Sequence, residues 1–231
     1  GANPVVSHPN TQKVIDGLKN TFVVYFGTTL TDTCEYADLI IPSSSFLSKK
    51  DVRLSYGHEL KSISQIVKPK DENTISEYEL ATYCIEQFGF EKLKDEDEII
   101  SYYENHKPNL NDFKTFDFIE EVEIEALYKD KTADDFYFIT AKSKNSLNSQ
   151  FAKDDFVYLN SATNYKDGDI VNISSKNGSA KFVVKINNDI KTDCAFFFTG
   201  NKNANYLTPA SEDESSFSAM YQEVLVQIEL S

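Results

Sequence analysis

The stretch Phe22 to Pro42, FVVYFGTTLTDTCEYADLIIP, restricts the fold more than any other part of the chain. Phe22-Val23-Val24-Tyr25-Phe26 is an unbroken apolar run with no polar alternation, the pattern of a strand covered on both faces of a parallel sheet. Gly27 interrupts it, a Thr-rich turn follows, and a second apolar run from Ala37 to Ile41 ends at Pro42. The link of about ten residues is too short for a full crossover helix, so it predicts a tight βαβ with one or two helical turns between the strands. In open α/β sheets ligands bind beyond the carboxyl ends of such strands. Those ends are Phe26-Gly27-Thr28-Thr29 and Pro42-Ser43-Ser44-Ser45.

Helices are expected on either side of this motif. Asn10 or Thr11 can cap a short helix whose inner face is Val14, Ile15 and Leu18. Ser62 to Val67, with Ile63 and Ile66, carries a weak strand signal before Pro69. Ser76-Glu77-Tyr78-Glu79 has the S-x-x-E capping-box pattern, and Tyr78, Ala81, Cys84, Ile85 and Phe88 then recur at helical spacing up to Gly89. A further helix over Glu96 to Asn105 places Ile99, Ile100 and Tyr103 on one side. Its acidic start, Asp95 to Glu98, suits the positive end of a helix dipole and reads as a solvated face rather than a metal site.

From Lys107 to Asp135 no periodicity is sustained, which places a domain boundary near residues 125–135. The two domains are then 1–130, a partial doubly wound α/β unit, and 131–231, an all-β unit. Strand-like segments in the second are Tyr137 to Thr140, Phe156 to Leu159, Asp169 to Ser174, Ser179 to Ile186, Ala195 to Phe198 and Val224 to Leu230. Asn177-Gly178 between two of them is a hairpin signal, because both residues tolerate positive φ. Ala180, Phe182, Val184 and Ile186 alternate with Lys181 and Lys185, and Val224, Val226, Ile228 and Leu230 alternate as cleanly. Short strands at this spacing predict a β-barrel.

Composition excludes some functions. The formal net charge of −14 leaves no basic stripe for nucleic acid and no charge attraction to an anionic membrane. No apolar run reaches the roughly 18–20 residues of a membrane span. Cys34, Cys84 and Cys194 are scattered, as are the three histidines, so neither type gives metal-ligand spacing. The cysteines are expected to be buried, reduced and structural.

Gly1-Ala2-Asn3-Pro4, then His8-Pro9, a strand, and T-x-T-x-x-x-A-D-L-I-I-P resemble the molybdopterin oxidoreductases, the broad family of formate dehydrogenases, nitrate reductases and polysulfide reductases. Val157-Tyr158-Leu159-Asn160, Asp167-Gly168-Asp169-Ile170-Val171, Asn177-Gly178 and Asn205-Tyr206-Leu207-Thr208 resemble, in order, landmarks of that family's C-terminal barrel. The resemblance implies the C-terminal portion of such an enzyme. By that resemblance it would hold one arm of a molybdopterin guanine dinucleotide carrying molybdenum or tungsten. A 4Fe-4S cluster and the metal ligand are expected in a missing N-terminal part. Implied partners are that N-terminal remainder and electron-transfer subunits, in the cytoplasm or on the cytoplasmic face of the inner membrane, with the periplasm left open.

The same resemblance implies site residues. Asn3 and the turn at Gly27 and Thr28 would line the nucleotide arm, and Lys49 would meet a phosphate as a point charge. Glu77 would accept from guanine amino groups, or else simply open a capped helix. Thr140 to Asn148, including Lys142, would run past the pterins, Asn205 belongs to the N-x-L-T landmark, and His58 would line the substrate funnel or be structural. Three positions depart from the family pattern: Gly27 replaces an acid, Thr140-Ala141-Lys142 replaces T-G-R, and Gln222 stands where a lysine is expected. Two other functions stand beside it, the first of which such losses would fit. One is the large iron–sulfur subunit of a respiratory NADH–quinone oxidoreductase, with the cofactor lost and the fold kept as a scaffold. The other is a non-catalytic interaction module. No residue set within the chain forms a nucleophile, a base or a metal site, so the 231 residues alone are expected to be inactive.

Overall fold

The computed structural model describes residues 3–54, 60–64, 66–106, 131–143, 155–212, 217–222 and 224–231. They form two compact units. The α/β unit holds Val24–Thr29 and the described residues of 39–106; the barrel unit holds 3–23, Leu30–Asp38 and the described residues of 131–231. The units do not follow a single boundary near residue 130, because the first helices belong with the barrel. Asn10 N donates to Thr208 Oγ1 (3.1 Å), Asn205 Nδ2 to Val6 O (2.6 Å) and Tyr221 Oη to Ser7 O (2.9 Å).

The barrel unit begins with α1 (Pro4–Ser7) and α2 (Thr11–Lys19). Asn10 caps α2, its side chain accepting from Lys13 N at 3.1 Å, and Ile15 is buried as the apolar spacing predicts. The unit also holds a 3-10 turn, Asp32–Tyr36, which is the short helical link expected within the leading motif. In the α/β unit, β1 (Val24–Gly27) pairs in parallel with β2 (Leu39–Pro42), Val24 opposite Leu39 and Gly27 opposite Pro42.

The parallel sense was legible, but the expected burial of this run on both faces is not found. Phe22 is 72% exposed, and Val24, Leu39 and Ile40 are 49%, 46% and 42% exposed. The physical reason is the size of the sheet, which has two strands among the described residues. A pair that narrow cannot cover its own faces.

The weak strand signal resolves into a hairpin of β3 (Val52–Leu54) and β4 (Lys61–Ile63), while Ile66 and Val67 lie outside it and are exposed. The capping box forms as the pattern predicts: Glu79 N donates to Ser76 Oγ (3.2 Å) and Ser76 N to Glu79 Oε2 (2.6 Å), opening α3 (Glu77–Phe88). Gly89 ends the helix with φ 69°, a conformation that disfavours a Cβ. The apolar side of α3 is not buried, however, and Phe88 is 75% exposed. In α4 (Glu96–Asn105) Asp95 caps the start, and Lys61 Nζ donates to the carbonyls of Tyr103 and His106 at the end. Lys50 meets Asp97 at 3.2 Å, so residues beside and within the β3–β4 hairpin hold α4 at both ends.

All six strands expected in the second half are present: β5 (Phe136–Ala141), β6 (Phe156–Leu159), β7 (Ile170–Ser174), β8 (Ser179–Ile186), β9 (Cys194–Phe198) and β10 (Leu225–Leu230). They close a barrel in the order β10-β5-β9-β6-β8-β7, with β7 returning to β10. Alternate residues point inward, and Phe138, Leu159, Ile173, Phe182, Val184 and Phe197 are all 0–2% exposed. Phe197 stacks against Phe138 and Phe182 at 4.9 and 5.0 Å between ring centres. The Asn177-Gly178 turn connects β7 to β8 as expected, but neither residue has positive φ. Glycine is needed there for space, since a Cβ on Gly178 would stand 2.7 Å from Tyr206 O.

Candidate cofactor-binding site

In the α/β unit the chain after β2 turns through buried Ser43, Ser44 and Ser48 to Lys49. Lys49 Nζ donates to Glu77 Oε2, so two residues 28 apart that were singled out from the sequence are one ion pair. The Lys49 side chain is 17% exposed and that of Glu77 61%. Burial raises the Glu77 carboxyl, but the Lys49 hydrogen bond, the helix amide and the ammonium charge outweigh it and hold it below the usual range. Beside the pair lies a cleft of about 470 Å³ lined in part by Ser44, Lys49, Lys70, Tyr78, Glu79 and Glu96. Lys70 binds the Glu79 carboxylate, which lowers its pKa with help from the Ser76 amide. Glu96 is shifted upward by burial and then by the charges of Glu79 and Asp97. Lys70 and Glu96 were not singled out from the sequence. Lys70 sits in a polar run before the helix, and its partner lies nine residues on, a spacing with no helical or strand meaning.

Gly27 is the half-buried last residue of β1, and Thr28 follows it exposed, at the strand end where a ligand was expected. The Ser43 amide donates to Gly27 O at 3.0 Å, which ties the two strand ends together.

In the barrel unit the expected residues are drawn into the protein's own bonding. Asn3 is 3% exposed, with Oδ1 accepting from Thr33 Oγ1 (2.8 Å) and Thr33 N (3.3 Å) and Nδ2 donating to Asp32 (3.2 Å). Asn205 fastens α1 through Val6 O. Gln222 Oε1 accepts from Thr140 N (3.0 Å) and Nε2 donates to Thr140 O and Oγ1 (3.0 and 2.7 Å). Its amide thus extends the β10–β5 ladder one step beyond the main-chain pairing. Lys142 is exposed just past β5. His58 and Asn148 lie outside the described residues. Cys34, Cys84 and Cys194 are unpaired and half-buried rather than fully buried, with burial and Asp193 pushing the Cys194 thiol up.

The cleft supplies ammonium donors for phosphate and carboxylate acceptors for amino groups, a donor set that fits the nucleotide end of the implied cofactor. The amides of Asn3, Asn205 and Gln222 have hydrogen-bond partners within the protein, as Lys49 and Lys70 have in Glu77 and Glu79. Among the described residues no cluster of three or more His, Cys, Asp or Glu could hold a metal. Nor is any described helix long and apolar enough to cross a membrane.

The described residues thus combine a parallel α/β pair and a polar cleft with a closed six-stranded barrel. Residues 1–78 match the family model described as molybdopterin oxidoreductase, and residues 136–225 that of the molybdopterin dinucleotide-binding domain. Each of the two stretches is thus similar to a molybdopterin-related family. It is 34% identical over 104 residues to a probable oxidoreductase, YoaE, of Bacillus subtilis (strain 168), a match spanning 43% of this chain and 15% of that protein. Its fold is similar to that of acetylene hydratase from Pelobacter acetylenicus, with TM-score 0.76, 14% identity, and coverage of 100% of this chain and 43% of that one. The chain therefore spans less than half the length of each.

Proposed function

We propose that the chain is the C-terminal part of a larger oxidoreductase and binds the nucleotide arm of a molybdopterin guanine dinucleotide. The observation that carries this reading is the Lys49–Glu77 pair beside the Ser44–Glu79 cleft. Lys49 is a point charge for a phosphate, and the exposed Glu77 carboxylate beside it could accept from an amino-bearing base. Gly27 and Thr28 offer backbone and hydroxyl contacts at the end of β1. The bound cofactor would supply the redox chemistry, with molybdenum or tungsten as its metal. A 4Fe-4S cluster in the remainder of the protein and electron-transfer subunits complete the proposal. The isolated chain is expected to show no turnover.

Metal and pterin analysis of the protein purified from its host tests this reading. Molybdenum or tungsten together with guanine nucleotide is the expected result. Lys49→Ala should reduce nucleotide retention by about tenfold, the effect of losing one phosphate contact. A cofactor-loaded protein indifferent to Lys49→Ala and Glu77→Gln would place the nucleotide elsewhere.

A specific observation also favours a second reading. The side-chain amides of Asn3, Asn205 and Gln222 all bond within the protein, as in a scaffold that has lost its ligand. In that case the chain belongs to the large iron–sulfur subunit of an NADH–quinone oxidoreductase. Iron–sulfur clusters with neither pterin nor molybdenum or tungsten would decide for it.

A further inference from the structure

Asn177-Gly178 is the chain's one Asn-Gly step, and its turn joins β7 to β8 in the barrel wall. Both residues are half-buried. Asn177 Nδ2 donates to Leu207 O at 3.0 Å, and the Ser175 hydroxyl donates to the same carbonyl at 2.7 Å. Gly178 fits closely beside them, since a Cβ there would stand 2.7 Å from Tyr206 O. The segment so clasped, Asn205 to Thr208, also fastens the first helices. Asn205 Nδ2 donates to Val6 O, Thr208 Oγ1 accepts from Asn10 N, and Leu207 and Thr208 are wholly buried. The β7–β8 turn thus grips the segment that in turn grips α1 and the start of α2.

We propose that Asn177 is a site of spontaneous deamidation, and that the product cannot remake the clasp on Leu207. The nucleophile is the amide nitrogen of Gly178. No Cβ hinders its approach, and it donates to no described residue. With its proton lost to solvent, this nitrogen bonds to Cγ of Asn177. The Cγ–Nδ2 bond breaks, and ammonia leaves with a proton taken back from water. Water then adds to one of the two imide carbonyls, and the C–N bond there breaks. One opening gives an aspartate at position 177; the other gives an isoaspartate, with Cβ inserted into the main chain. Water is the one co-reactant, and nothing is oxidised or reduced. An ionised aspartate only accepts, so the donor contact at 3.0 Å becomes a carboxylate facing the Leu207 carbonyl. An isoaspartate lengthens the turn by one atom beside Gly178, where even a methyl group would meet Tyr206 O. Either product loosens the hold on residues 205–208, and the change accumulates because ammonia is lost. None of this depends on which cofactor is bound.

Peptide mapping by mass spectrometry, on the purified protein before and after incubation at mildly alkaline pH, tests the site. Amide hydrogen exchange tests the consequence. Asn177 should be the first asparagine to convert. In the converted fraction the amides of Asn10 and Leu207 should exchange about tenfold faster, the effect of one buried hydrogen bond lost. Asn177→Asp should reproduce that acceleration and lower the melting temperature by about 2–4 °C. Asn177→Ser, which loses the donor without adding charge, should fall between Asn177→Asp and the parent. If Asn177→Asp fails to fold, the converted fraction and Asn177→Ser still carry the comparison. Asn177 left intact, whether or not other asparagines convert, overturns the proposal. So does conversion that leaves Asn10 and Leu207 exchanging as before.

Discussion

The barrel unit and the α/β unit differ in where their apolar side chains end up. In the barrel, closure removes every sheet edge, and the inward residues of all six strands meet in one core that is almost wholly shielded from water. In the α/β unit, α3 and α4 bury no residue fully, Tyr25 is the one buried large side chain among the described residues, and Phe46, Leu54, Phe88 and Phe90 are 61–75% exposed. A closed sheet supplies its own cover, whereas an open parallel pair depends on whatever extends it. The barrel therefore shields its own core, whereas the described residues of the α/β unit leave much apolar surface in contact with water.

The largest expected effect falls in the barrel. Phe197→Ala removes a ring with no exposed surface from between Phe138 and Phe182, and should cost about 3–5 kcal/mol in denaturant unfolding. Phe88→Ala removes a ring of the same size from α3, yet should change stability by less than about 0.5 kcal/mol. Similar losses at the two positions would break the contrast between the units.

A smaller effect tests whether the first helices belong to the barrel. Asn3→Ala leaves the buried Thr33 hydroxyl and amide without their acceptor and should cost about 1–3 kcal/mol. Asn205→Ala strips the Val6 carbonyl of its donor and should fall at the lower end of that range. Both should speed amide exchange in α1 and leave α3 unchanged. A faster-exchanging α3 would mean that these contacts serve the α/β unit as well.

How much was visible in the sequence follows the same division. Alternation in β8 located Phe182 and Val184 correctly, because a period of two marks which side faces a core and a barrel guarantees that the core exists. The periodicity of α3 marked an apolar side just as clearly, but periodicity carries no information on whether anything covers it. Capping was legible because Ser76 and Glu79 are three residues apart and act locally. Thr140 and Gln222 are 82 residues apart, and their pairing is set by where β5 and β10 meet. Resemblance singled out both residues as ligand contacts. Tertiary structure turned them toward each other.

Local capping gives the next prediction in size. Ser76→Ala should cost about 1 kcal/mol and fray the first turn of α3, seen as faster exchange at Glu79, with no change in barrel amides.

The smallest effects are electrostatic, and they separate α3 from α4. Glu79 is held below its ordinary value by the Lys70 hydrogen bond and the Ser76 amide. A carboxyl whose folded pKa is depressed stabilises the fold above the unfolded value of about 4.3, and that support is lost as pH falls through the folded value. Glu96 runs the other way. Burial and the neighbouring carboxylates raise its folded pKa, so its contribution is present below about 4.3 and fades as pH rises through the folded value. Acidification should therefore loosen the start of α3 while easing repulsion at the start of α4. Site-resolved carboxyl titration by NMR checks both signs. Lys70→Ala should move Glu79 upward and leave Glu77, whose partner is Lys49, in place. Glu77 and Glu79 moving together would show that the cleft titrates as one coupled network, and the α/β unit would then be more tightly knit than its exposed surface implies.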